Sequence, residues 1–318
     1  MSIIWGTELS KLCAEANQEV LFVAPFIKAY VLKRLLDKIS SDVCLMCITR
    51  WFPEEIVAGV SDLEVWSLIQ NRPNSSLWLR PDLHAKYYRA DNRCLVGSAN
   101  LTNKALGWSN LPNLELLVPV SANEPTVKSF ETELLKACIP VDEDLFEQMS
   151  LAVQLLAEQA SNKISTSSRV KISEEITAID HCISVDAWLP TLRNPEDLYI
   201  AYCEQIEKLS TASKIAALTD LRALPVVSNL SHKTFKAYIG TLLLQKQIIR
   251  KVDNFVKTPQ RFGAVKNLLN SLPCSESNNF NAERTWQTLM RWLLYFLPNR
   301  YALSVPNYSE VFYRIKTN

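Results

Sequence analysis

Apolar residues in the first third of the chain fall into short runs cut by polar breaks. Residues 19–25 (EVLFVAP) and 43–48 (VCLMCI) are runs of buried-strand length. Between them Val31, Leu32, Leu35, Leu36 and Ile39 keep helical spacing, which predicts a helix over 28–39. Residues 53–59 and 62–70 read as helices opened by Pro and Asp. Three strands are predicted next, over 76–80, 84–90 and 93–98. The last two flank Asp91-Asn92, a two-residue hairpin turn. Residues 113–120 (NLELLVPV) read as a further strand. Strands alternating with helices imply an α/β fold, a mixed sheet flanked by helices.

After about Ser121 the strand pattern fades. Leu145, Met149, Ala152, Val153, Leu156 and Ala160 line one face of a helix over 143–160. The polar, serine-rich stretch 161–168 is the best linker. Beyond it, Asn194-Pro195-Glu196-Asp197 is a helix start. A helix is predicted over 231–247, then a two-stranded hairpin: 248–252, the turn Asp253-Asn254, and 255–258. Trp286, Leu289, Met290, Leu293, Leu294 and Leu297 follow helical spacing and read as core or as a dimer surface. The expected organisation is a catalytic domain over 1–122, a helical extension and linker over 123–168, and a mainly helical basic domain over 169–318.

Composition changes the picture through its distribution. The 318 residues carry a net charge of +1, and 48% of them are hydrophobic, enough for two cores. Residues 1–160 hold 14 Lys and Arg against 20 Asp and Glu, while 161–318 hold 20 against 13. Opposite signs suit different tasks. Eight cysteines are scattered without a framework, and Cys44 with Cys47 is the closest pair. Reduced thiols in the cytosol are the expectation, with no zinc site. Neither a signal peptide nor a membrane span is legible.

The chemistry concentrates in one stretch. His84-Ala85-Lys86 is followed by Asp91, an H-x-K-x4-D pattern, and then by Gly97-Ser98-Ala99-Asn100. His84 and Lys86, two apart on a strand, share a face. An imidazole beside an ammonium can attack phosphorus while the cation holds a phosphoryl oxygen, and the cation favours the neutral ring. The Ser98 hydroxyl and the Asn100 amide can contact the same phosphate. Together the two segments resemble the signature of the phospholipase D-like nucleases, over roughly residues 1–120. One spacing departs: the family usually places six residues between the aspartate and the glycine, and here there are five, Asn92 to Val96. Asp91 is therefore either a motif residue or only a turn residue.

The resemblance implies a mechanism without metal or other cofactor. A histidine attacks the phosphodiester to form a phosphohistidine, and a second histidine protonates the leaving oxygen and then activates water. A glutamate after the motif orients the nucleophile, which points to Glu115. The second histidine usually comes from a second motif. Here only His84, His181 and His232 exist, and the latter two make no H-x-K. A homodimer joined through the catalytic domain is the simplest completion.

Within 231–266 a single acid, Asp253, stands among eight bases, including Lys233, Lys236, Arg250, Lys251, Lys257 and Arg261. Those six are the candidate nucleic-acid contacts. A helix followed by a hairpin resembles the recognition helix and wing of a winged-helix domain. The expected function is a nuclease acting on DNA, restriction-like or in other antiphage defence. A phospholipid-processing enzyme of the same superfamily and a non-catalytic nucleic-acid-binding protein are the alternatives.

Overall fold

The structure, a computed structural model, describes residues 4–164, 188–272, 280–306 and 309–315. His181 and residues 165–168 of the linker stretch lie outside the described residues. Contacts divide the chain into two compact units, Met1–Val153 and Gln154–Asn318. The division falls inside one long helix rather than at the serine-rich stretch.

In the first unit the elements are α1 (Trp5–Ala14), β1 (Glu19–Val23), α2 (Ala29–Leu36), β2 (Cys44–Thr49), α3 (Pro53–Val57), α4 (Val65–Gln70), β3 (Ser75–Leu79), β4 (Lys86–Ala90), β5 (Arg93–Gly97), β6 (Leu117–Ser121), α5 (Pro125–Lys136), β7 (Ile139–Pro140) and the start of α6 (Glu143–Ile164). The seven strands form one mixed sheet in the order β6-β5-β4-β1-β2-β3-β7. β1, β2 and β3 run parallel, and β4 returns antiparallel beside β1. The strands beside β1 alternate poorly in sequence because both sheet faces are covered.

One face packs Leu21, Val23, Ile48, Leu83, Tyr87 and Cys94 with Leu134 and Cys138. Residues 125–140 therefore belong to this unit: α5 covers the sheet and β7 extends it beside β3. The expected catalytic boundary at residue 122 is too early. β7 was hidden by its length, since two residues show no period. α1 was also missed, although Leu9, Leu12 and Cys13 have helical spacing and are buried.

Every expected strand of this unit is present within a few residues, with one notable trim. The segment 113–116 is not strand; β6 begins only at Leu117. The turn Asp91-Asn92 is seen as expected, with Ala90 facing Arg93 across it. Asp91 takes a φ of +50°, the left-handed region that tight hairpins require.

The second unit, after the end of α6, holds α7 (Asp197–Tyr202), α8 (Thr211–Ala223), α9 (His232–Leu244), α10 (Gln247–Phe255), β8 (Gln260–Arg261), α11 (Phe262–Asn270), α12 (Ala282–Phe296), β9 (Tyr301–Ser304) and β10 (Val311–Arg314). Ser231 caps α9 by accepting from the Thr234 amide. The expected hairpin over 248–258 is overturned: residues 247–255 are helical. Ile248, Ile249 and Val252 are β-branched and suggested strand, but they are buried at spacings of one and four, a helical face. The strands of this unit lie elsewhere, in a three-stranded antiparallel sheet ordered β8-β10-β9. No helix among the described residues is long and apolar enough to cross a membrane.

Asp253, expected in a turn, is fully buried. It accepts from Arg300 Nε at 2.8 Å and Nη2 at 2.7 Å, and from the Tyr301 hydroxyl at 2.7 Å. Arg314 approaches at 3.4 Å and Arg250 at 3.9 Å. A buried carboxylate is stable only when so surrounded. This corrects the expectation for Arg250: it is buried beside Asp253 and is not placed as a phosphate contact, whereas Lys251, Lys257 and Arg261 are exposed. Asp253→Ala would strand these cations. Urea unfolding should show a loss of about 3–5 kcal/mol, and Lys251→Ala on the same helix should stay within about 0.5 kcal/mol of wild type.

Candidate active site

The registers of the first sheet bring one end of five strands together. Val23 at the end of β1 faces Tyr87 at the start of β4, and Lys86 faces Gly97 at the end of β5. Gly97 in turn faces Leu117 at the start of β6, and β2 ends beside β1 at the same edge. His84, Lys86, Ser98, Asn100, Glu115 and Arg50 all lie on the segments leaving or entering this end.

His84 is exposed just before β4, while Lys86 is buried as its first residue. The Lys86 ammonium donates to the His84 backbone carbonyl at 2.7 Å, which fixes the cation beside the imidazole. The His84 pKa is held below its ordinary value, first by the Lys86 charge, then by partial burial, then by the Arg50 charge. Lys86 is itself lowered, by burial first and by Arg50 second, while Glu115 acts in the opposite direction. The ring is thereby biased toward its neutral, nucleophilic form.

Glu115 is carried in by an irregular segment. A Cβ built on Gly97 would stand 1.9 Å from the Leu116 carbonyl oxygen. Only glycine admits that approach, and the carbonyl accepts from the Ser98 amide at 2.9 Å. The Trp5 indole donates to the Glu115 carbonyl at 2.8 Å, holding the segment from the other side. The Glu115 carboxylate then accepts from the Ser98 hydroxyl and from Asn113 Nδ2, the latter at 3.2 Å. Ser98 Oγ also receives the Leu116 amide at 3.1 Å. The glutamate expected on the histidine ring is bonded to the serine here, and among the described residues the His84 side chain makes no hydrogen bond.

Asn100 is half-buried, and its Oδ1 is enclosed with no donor among the described residues. A native group left in that state needs an explanation, and a ligand is one. Its backbone is set by the neighbouring Tyr88 hydroxyl, which donates to the Ala99 carbonyl at 2.5 Å, and by Leu101, which bridges Ile27.

Asp91 does not join the others. It sits at the far end of β4, roughly 17 Å of strand from Lys86. Its carboxylate accepts the backbone amides of Asn17 at 2.9 Å, Gln18 at 3.0 Å and Glu19 at 3.0 Å. Desolvation pushes its pKa up, and these amide bonds outweigh that, so the net shift is downward. Its inclusion among catalytic residues is corrected: it ties the hairpin to the start of β1.

Two residues were missed in the sequence. Arg50 follows β2 and is gripped by Glu55, with Nη2 to Oε1 at 2.6 Å, while its Nη1 donates to the Leu83 carbonyl at 3.2 Å. An arginine just past the C-terminal end of an apolar strand, where open α/β sheets place their sites, was the available signal. Trp5 offered none, because its partner is 110 residues away.

Neither the protein-family models nor the curated proteins contain a match to the chain. Among solved structures, NucT from Helicobacter pylori is similar at 17% identity and a TM-score of 0.34, over 42% of this chain and 89% of that one. Nuc from Salmonella typhimurium, a phospholipase D family member, is similar at 16% and 0.35, over 43% and 90%. Phosphatidylserine synthase from Haemophilus influenzae is similar at 13% and 0.38, over 64% and 57%.

The charge environment of His84 predicts a titration. In histidine NMR the ring should titrate below its ordinary value of 6.5. Lys86→Met should move the midpoint upward, and Arg50→Ala should move it upward by less. A ring that titrates unchanged in both variants would contradict the arrangement. Because the shift is downward, a nucleophilic role keeps the neutral ring available as pH falls through 6.5, and the acid limb of activity should lie below that value.

Proposed function

We propose that the chain is a phosphodiesterase that needs no metal and cleaves nucleic acid, DNA foremost, through a phosphohistidine. The observation that carries this is His84, exposed and biased toward neutrality by Lys86 and Arg50, at the strand end that also holds Ser98, Glu115 and Asn100. A ring nitrogen of His84 attacks phosphorus. The N–P bond forms as the P–O bond to the leaving group breaks. Lys86 neutralises charge on a non-bridging oxygen, and Ser98 and Asn100 position the phosphate. Water then cleaves the N–P bond and frees the histidine.

A leaving alkoxide needs a proton, and among the described residues this site has one histidine. His232 belongs to the second unit, where its Nε2 meets the Tyr295 hydroxyl at 3.0 Å. We therefore assign the proton donor to His84 of a second copy. Favouring this, β6 is an edge strand, and Leu111, Leu114, Leu116 and Val118 on and before it are exposed. Leu114 has essentially no cover, an apolar surface flanking Glu115 that a second copy would bury. A restriction or other host-defence role is the setting this chemistry suits.

Cleavage of DNA should persist in excess EDTA, and His84→Ala should reduce it by about 10⁴-fold or more with an unchanged circular dichroism melt. Strict dependence on magnesium would end the proposal, and parallel assays on RNA and phospholipid test the substrate class. Mixing wild type with excess His84→Ala, then allowing exchange, should depress activity below simple dilution. A fully active monomer in sedimentation would rule out the shared site.

A further inference from the structure

The second unit holds the order α10, β8, α11, α12, β9, β10, with β10 central in a three-stranded antiparallel sheet. A helical pair followed by a two-stranded hairpin is the arrangement of a winged helix-turn-helix. In helix-turn-helix modules the second helix of the pair enters the major groove. That places the reading element on α12, not on the 231–266 segment that composition alone had favoured.

α12 is built for two faces. Trp286, Leu289, Met290, Leu293 and Phe296 are buried. On the opposite side Arg284, Gln287 and Arg291 stand at spacings of three and four, one stripe along the helix. Both arginines are exposed, and among the described residues neither side chain meets an acceptor. Glu283, the one acid of this helix, lies off the stripe, 3.8 Å from Lys266 of α11. Arginine and glutamine are the side chains whose forked donors and acceptors match guanine and adenine edges.

The stripe continues onto α9. Tyr295, one turn beyond Arg291, carries Lys236 Nζ 3.9 Å above its ring centroid, and its hydroxyl meets His232. Lys233 is exposed beside them at the start of α9. A base-reading centre is thus flanked at one end by two lysines suited to phosphate.

We infer that the Arg284–Gln287–Arg291 stripe of α12 reads duplex DNA in the major groove, with Lys233 and Lys236 on the adjoining backbone. The inference deepens the proposed nuclease function and names its recognition surface. Phosphate contacts from the two lysines carry affinity without sequence, and the stripe carries sequence preference.

The test uses the full chain. Wild type and R284A/Q287A/R291A are compared for anisotropy binding to a labelled random-sequence 40-bp duplex across a salt series, for enrichment of a preferred sequence from that pool, and for hydrolysis of bis(p-nitrophenyl) phosphate. Wild type should enrich a sequence, and the triple variant should bind that sequence about a hundredfold more weakly. K233A/K236A should weaken binding to all duplexes alike and flatten the salt slope by about two counterions. K214A, on α8, should match wild type. Equal binding and enrichment by the triple variant would overturn the inference, as would wild type that binds only single strands or RNA. If wild type hydrolysed no phosphodiester yet lost its duplex preference in the triple variant, the catalytic proposal would fail while this one stood.

Discussion

A backbone oxygen occupies the space where residue 97 would carry a side chain. The Leu116 carbonyl can stand there only because Gly97 has none. That close approach ends β5 against β6 and turns the 113–116 segment across the strand ends. It delivers the Glu115 carboxylate to Ser98 and near enough to Lys86 to act on its charge. A methyl at residue 97 would push the carbonyl away, and the glutamate, serine amide and serine hydroxyl would move with it. The arrangement of the site thus hangs on a steric allowance one residue before Ser98.

Around that allowance the electrostatics are set by flanking charges. Glu55 is largely buried, and burial raises its pKa against the opposing effect of Arg50. The pair holds a guanidinium beside the imidazole and the ammonium, so three cationic or potentially cationic groups share one end of the sheet. An anion entering there relieves their mutual repulsion. Under the proposed function, that repulsion among Lys86, Arg50 and a charged His84 favours a phosphodiester at this end of the sheet.

The first unit was legible because its strands are apolar runs broken by turn residues, and because the histidine, lysine, serine and asparagine lie close in sequence. What escaped was non-local or too short for a period. Trp5 reaches Glu115 across the chain, Arg50 arrives from another strand, and β7 has two residues. In the second unit two misleading local signals coincided. Ile248, Ile249 and Val252 favour strands, and Asp253-Asn254 favours a turn. Tertiary burial overrode both, since Asp253 needed the cations of Arg300, Arg314 and Arg250. The basic residues were counted correctly, but composition cannot distinguish an arginine buried on a carboxylate from one offered to solvent.

The hairpin between the two halves of the motif has a consequence for its spacing. Side chains alternate along a strand, so losing one residue within β4 or β5 would invert the parity of every position beyond it. The chain has one residue fewer than its resembled family between Asp91 and Gly97, yet Lys86 still faces Gly97. The loop bounded by Ala90 and Arg93 holds only two residues, and it lies outside the paired register. Asp91 then serves as a latch on the amides of residues 17–19, holding that shortened loop to the neighbouring strand. A signature written as one line of letters joins two kinds of constraint: rigid phase near His84 and Ser98, and tolerance of length at the distant bend.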